Sequence, residues 1–122
     1  MVSKGDLLIA LYGANSADVG IAQLDGAINQ AVLCVKSGES VRYLYFYLAF
    51  NQGRIVAKYL QGGQGNLSGH IMKIVKIPIP NRKEQMKIAN FLSAIDEKIN
   101  LVGQQITHMR DFKKGLLQQM FV

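Results

Sequence analysis

From Ile88 to Met120 a side chain of one type recurs in alternating steps of four and three. Ile88, Leu92, Ile95, Ile99, Val102, Ile106, Met109, Leu116 and Met120 are apolar, and Lys113 alone in the series is not. No proline follows Pro80. A heptad sustained over more than four repeats predicts a long helix built to pair with another helix. The rise from Ile88 to Met120 is about 48 Å at 1.5 Å per residue, more than a small domain needs for its own core. Asn81 with Glu84 three residues later is a variant capping box, so the helix is expected to start at residue 81. The stripe is wide: Phe91 and Phe112 occupy g positions and Leu117 an e position. Flanking charge is sparse, with Lys98 at g and Asp96 and Arg110 at e. An amphipathic helix folded back on a domain would show a similar stripe, but not this length or regularity.

In a chain of 122 residues, that helix leaves about eighty for one small domain. Leu7–Tyr12 is a short apolar run between Gly5-Asp6 and Gly13-Ala14-Asn15, and predicts a buried strand. Residues 19–24 and 30–36 predict two more, closed by Asp25-Gly26 and Ser37-Gly38. Ser40 is a plausible N-cap for a helix carrying Val41, Leu44, Leu48, Ile55 and Tyr59, with Gly53 a point where it would break or bend. A glycine-rich loop follows at 62–69. Ile74–Pro80 predicts an edge strand, because its prolines cannot donate ladder hydrogen bonds. The expected fold is α+β: a small mixed or antiparallel sheet domain over residues 1–80, then one long coiled-coil helix over 81–122.

Several chemistries are excluded. Cys34 is the single cysteine, so no internal disulfide forms. With only His70 and His108 and no CxxC, no zinc site of usual spacing is present, and no metal ligand set is expected. Ser68 lacks a nucleophile elbow and His70 has no catalytic partner, so no catalytic residue is expected. Cys34 lies in a strand-like run and reads as a small buried hydrophobe. No apolar stretch approaches the roughly 20 residues of a membrane span, and Met1–Asp6 is not a signal peptide, so the expected compartment is the cytoplasm.

Fourteen Lys and Arg against eight Asp and Glu leave a charge of +6, which favours an anionic partner without choosing between nucleic acid and acidic membrane. Phosphates need cations, and base edges need amides or arginine. Lys4, Arg42, Arg54, Lys58, Lys73 and Lys76 supply the cations, and Asn15, Gln61, Gln64, Asn66, Ser68 and His70 the polar groups on expected loops. The candidate set for DNA contact is Lys4, Asn15, Arg54, Lys58, Gln64, Asn66, Ser68, His70 and Lys73. The loop 62–69 could bring backbone N–H groups to a phosphate, but it has no preceding strand and is neither a P-loop nor a dinucleotide fingerprint. Tyr43, Tyr45, Phe46, Tyr47 and Phe50 could stack on bases, yet their helical spacing favours packing.

The segment Pro78-Ile79-Pro80, then Glu84-Gln85-Met86-Lys87-Ile88-Ala89-Asn90-Phe91-Leu92, then Ile95-Asp96 resembles the junction between a target recognition domain and a long helix in specificity subunits of type I restriction–modification systems. Lys4-Gly5-Asp6-Leu7-Leu8, Ile28-Asn29-Gln30-Ala31, Gly65-Asn66-Leu67-Ser68 and Lys113-Lys114-Gly115-Leu116-Leu117-Gln118-Gln119-Met120-Phe121 resemble further short motifs of that family in the same order. The resemblance implies a non-catalytic, DNA-binding specificity subunit. It would read half of a split site in double-stranded DNA and dock methyltransferase subunits. A restriction motor subunit would join through the complex. S-adenosylmethionine, ATP and Mg would be used by those partner subunits, and none by this chain. Family members have two recognition domains and two antiparallel helices. This chain matches the later part of one domain and one helix, and so is expected to be a fragment, a truncated product or a half-subunit. If two copies pair antiparallel through the helix, the result is a rod about 50 Å long, on the scale of ~15 base pairs. The alternative is a truncated coiled-coil interaction protein that pairs with specificity subunits and modulates assembly without reading DNA.

Overall fold

The computed structural model describes residues 1–12, 16–59 and 69–121. The elements in order are β1 (Leu7–Ala10), β2 (Val19–Ile21), β3 (Val32–Val35), α1 (Val41–Phe50), α2 (Gln52–Tyr59), α3 (Gly69–Ile74) and α4 (Arg82–Met120). The chain divides into two units, Met1–Ala89 and Asn90–Val122. The fold is α+β, with a small antiparallel sheet, short helices and one long C-terminal helix.

In the first unit β1 is the central strand, in the order β2-β1-β3. Leu7 pairs with Ile21 on one side and Val35 on the other, and Ile9 with Val19 and Leu33. Period-2 alternation puts Leu7 and Ile9 on one face, where both are almost fully buried. Tyr43, Leu44 and Leu48 of α1 and Ile55 of α2 complete that core, with Leu11 and Ala17. The strand-forming runs are therefore real, but each strand is shorter than its apolar run. Leu11 leaves the ladder yet stays buried, its N–H donating to the Ala31 carbonyl at 2.8 Å.

The Gly5-Asp6 pair makes the turn into β1. Asp6 N–H donates to the Ser3 carbonyl at 3.0 Å, and Gly5 takes φ +94°, a conformation that favours glycine. Ser40 caps α1 as expected, its side chain accepting from Tyr43 N–H at 3.2 Å. The expected break at Gly53 is corrected: the helix breaks at Asn51. Asn51 ends α1, its N–H donating to the Tyr47 carbonyl, while its own carbonyl accepts from Ile55 N–H to start α2. Its side-chain amide also donates to Tyr47 O at 2.9 Å. An asparagine side chain can compete for backbone partners in this way, whereas Gly53 lies inside α2.

The expected edge strand over 74–80 is absent. Ile74 instead ends α3, and the segment 75–80 forms no strand or helix. Two of its carbonyls accept from side chains: Tyr43 Oη donates to Pro78 O at 2.6 Å and Gln85 Nε2 to Pro80 O at 2.9 Å. The two prolines have no N–H to offer a ladder, so side-chain anchoring replaces it. Asn81 caps α4, accepting from Glu84 N–H at 2.9 Å. Gln85 is the most buried polar residue among the described residues of the unit. Its Oε1 accepts from Ser40 N–H at 2.9 Å, and its Nε2 donates to a Glu39 carboxylate oxygen at 2.6 Å as well as to Pro80 O. Ala89, one turn further on, is fully buried.

In the second unit α4 carries its apolar seam in the open. Ile99 is 61% exposed and Met109 65%, and Phe91 and Phe112 flank them, also exposed. No helix among the described residues is long and apolar enough to cross a membrane.

Candidate nucleic-acid interface

Arg54 and Lys58 are four residues apart on α2, so one helix face carries both charges. They line a cavity of about 390 Å³ in the first unit, together with Lys76 from the segment after α3 and the rings of Tyr47 and Tyr59. Three cations and two phenol rings thus converge on one concavity.

Buried groups position its rim. Asn51 is buried, and its Oδ1 accepts from Arg54 Nη1 at 3.2 Å while its amide nitrogen is held by Tyr47 O. The amide orientation follows from this network, since Tyr47 O can only accept. The Lys58 ammonium lies 5.4 Å from the Tyr59 ring centre, within cation–π range. Such a concavity can take a phosphate on its cations and a flat ring against its tyrosines.

The other candidates are dispersed. Lys4 sits in the exposed turn before β1, its backbone N–H donating to Asp25 Oδ1 at 2.7 Å. Lys73 lies in the last turn of α3 and lines a separate, mostly apolar cavity of about 330 Å³ between the sheet and α1, with Leu7, Leu33 and Leu48. Asn15, Gln61, Gln64, Asn66 and Ser68 lie outside the described residues, as does most of the glycine-rich loop. His70 falls in α3. Of the expected set, Arg54 and Lys58 come together. Lys76, one of the expected cations, joins them through tertiary packing. Tyr47, a possible base stacker by sequence but favoured for packing, also lines it, and Tyr59 and Asn51 were not anticipated there. The i,i+4 spacing of Arg54 and Lys58 was a usable signal. Nothing local links them to Lys76.

The tyrosine cluster divides. Tyr43 is core, and burial pushes its phenol pKa up, with a smaller effect from Tyr47. Tyr43 and Tyr47 rings lie 6.4 Å apart, and Tyr45 meets Phe46 edge to face at 5.3 Å. Phe50 is 87% exposed and takes no part in the core. Cys34 is half-buried, its Sγ 3.5 Å from Asp6 Oδ2. Burial and then the Asp6 carboxylate raise its pKa, so it is a poor thiolate. Asp6 also accepts from Ser3 N–H at 2.9 Å and lies 3.4 Å from Lys36 Nζ. The Ser3 hydrogen bond chiefly, with Lys36, holds its pKa below the usual range. Among the described residues no cluster of three His, Cys, Asp or Glu could hold a metal ion.

Residues 2–108 match the profile of the type I restriction modification DNA specificity domain. The type I restriction enzyme MjaVIII specificity subunit of Methanocaldococcus jannaschii is 23% identical over 124 aligned residues, which cover 99% of this chain and 29% of that protein. A chain from a solved structure concerned with complex assembly and conformational transition of the type I R-M system superposes with a TM-score of 0.77 at 19% identity. The match covers 97% of this chain and 30% of the other, and it shows a shared fold. The chain therefore spans less than a third of the length of these two relatives.

Proposed function

This chain belongs to the family of type I restriction–modification DNA specificity domains, and from that premise we propose that its first unit reads half of a split site in duplex DNA. Arg54, Lys58 and Lys76 neutralise phosphates at the tyrosine-lined concavity, and this convergence is the observation that carries the reading. Lys4 and Lys73 add further cations along the phosphate backbone. Asn15, Gln64, Asn66, Ser68 and His70 are the candidates for base edges. The seam of α4 docks a partner helix, and methyltransferase subunits assemble on the specificity subunit. The restriction motor subunit enters through that complex. The chain itself is non-catalytic: methyl transfer and ATP-driven cleavage belong to the partner chains.

Binding of the chain to a pool of duplex DNA, alone and with a methyltransferase subunit, tests this. Affinity should fall steeply with salt. The triple change Arg54→Ala, Lys58→Ala, Lys76→Ala should weaken binding at every sequence and flatten the log–log salt slope by roughly 0.9 for each phosphate no longer neutralised. Wild-type affinity and slope in the triple variant would overturn the assignment of this surface.

The exposed seam of α4 favours a second reading. There the chain pairs with specificity subunits and alters their assembly without reading DNA. Co-purification with a full-length specificity subunit, with no retardation of DNA at low salt, would select it.

A further inference from the structure

The geometry points to a site for one unstacked nucleotide in the concavity of the first unit, its base against Tyr59 and Tyr47 and its phosphate on Arg54, Lys58 and Lys76. The inference deepens the DNA reading, and rests on it only where the nucleotide belongs to a DNA strand.

Three kinds of surface meet there. Arg54, Lys58 and Lys76 are exposed, and no carboxylate is among the described residues that line the concavity with them. Tyr47 and Tyr59 are half-buried and supply rings, while Ile55 and Val75 supply an apolar wall. A bare inorganic anion would use the cations and leave the rings idle. An apolar ligand would leave three positive charges without a counterion. A base joined to a phosphate uses every part.

Size and shape select an unstacked base. In an intact duplex each base is covered on both faces by its neighbours and offers only its edges to a protein. A ring in a pocket gains most from an open face, which a base offers once it leaves the stack. A volume of about 390 Å³ has room for one nucleotide, and not for a base pair with its two backbones.

The charged groups are partly set in place. Asn51 is buried, and both ends of its amide are bonded, one to Tyr47 O and the other to Arg54 Nη1. A guanidinium carries five N–H donors, so this bond orients Arg54 without exhausting it. Less ordering is then left for the ligand to impose. The Lys58 ammonium lies 5.4 Å from the centre of the Tyr59 ring. A charge and a stacking surface are thus adjacent, as phosphate and base are within one nucleotide.

Two affinity ratios on the full-length chain test this, each comparing a ligand with its base-free counterpart. The first compares duplex DNA carrying one bulged adenine with the same bulge lacking the base. The second, by calorimetry, compares adenosine monophosphate with ribose 5-phosphate and needs no DNA binding. A ratio of about tenfold in favour of the base is expected in at least one arm. A tenfold ratio in the first marks an extrahelical nucleotide as the ligand, and in the second alone a free one. Tyr59→Leu and Tyr47→Leu, which keep apolar bulk, should each bring that ratio towards one, and Tyr59→Phe should preserve it. Ratios near one in both arms of the wild type, or a ratio that survives both leucine variants, overturn the proposal. Failure to bind any DNA would instead sink the DNA reading and leave the second arm standing.

Discussion

At the residue scale, single side chains decide where the first unit turns and where it locks. Gly5 holds φ +94° in the turn that launches β1, and a Cβ there meets no atom within 4 Å. The cost of Gly5→Ala is therefore backbone strain alone, about 1–2 kcal/mol in urea unfolding. Gln85 is different, because three partners depend on one amide. Gln85→Ala strands Ser40 N–H and Pro80 O, and should cost about 2–3 kcal/mol by the same measurement. Asp6 adds a pH dependence. Its carboxyl is held below the usual range in the folded chain, so its stabilisation is present above the unfolded pKa. It is lost as pH falls through the folded value. Acid unfolding of Asp6→Asn should thus diverge from wild type near neutral pH and converge with it below the ordinary aspartate range. The Gly-Asp and Glu-Gln pairs were visible as motifs, but the three-way bond of Gln85 was not. A glutamine at the start of a helix looks like a solvated residue until tertiary packing brings Glu39 and Ser40 to it.

At the element scale, strong periodicity was legible and weak periodicity was not. The run from Arg82 to Met120 is one helix of 39 residues, starting at its Asn81 cap. The heptad specified it because every turn repeats the same demand. The segment 74–80 misleads for the opposite reason. Its alternating Ile, Val and Pro imitate a strand, yet strand pairing needs a partner edge. Tyr43 and Gln85 side chains take the Pro78 and Pro80 carbonyls instead. The split between α1 and α2 likewise turns on what Asn51 bonds to, not on the nearby glycine. The concavity depends on packing across elements: Arg54 and Lys58 share a face by spacing, but Lys76 arrives from beyond α3. At this scale the seam itself can be tested. Replacing Ile95, Ile99 and Ile106 together by Asp should abolish self-association in sedimentation. The melting of the tyrosine-rich first unit, followed by near-UV dichroism, should stay unchanged, because all three side chains lie in the second unit.

At the scale of the whole molecule, charge and assembly combine. The +6 balance sums over both units, and 14 basic residues are spread along the chain rather than confined to one run. If two copies associate, the net charge presented to DNA doubles while the reading surface becomes two-fold symmetric. Such a dimer should prefer an inverted-repeat split site to a single half-site. Competition binding between the two DNA forms measures this. The seam variant should lose the preference for the repeat while retaining binding to the half-site. Equal loss on both would mean that the first unit does not bind DNA independently.

The anchoring of α4 at its start has a kinetic consequence. A free helix must first close one turn against chain entropy, a step with an equilibrium constant on the order of 10⁻³. Here the Asn81 cap, the Gln85 bonds and the buried Ala89 fix the first two turns within the folded first unit. The remaining turns then propagate from a preformed nucleus. Folding of the sheet domain thus primes a helix whose own partners come later. Loosening that nucleus through Gln85→Ala should slow helix formation tens of ångströms away, without touching a single seam residue.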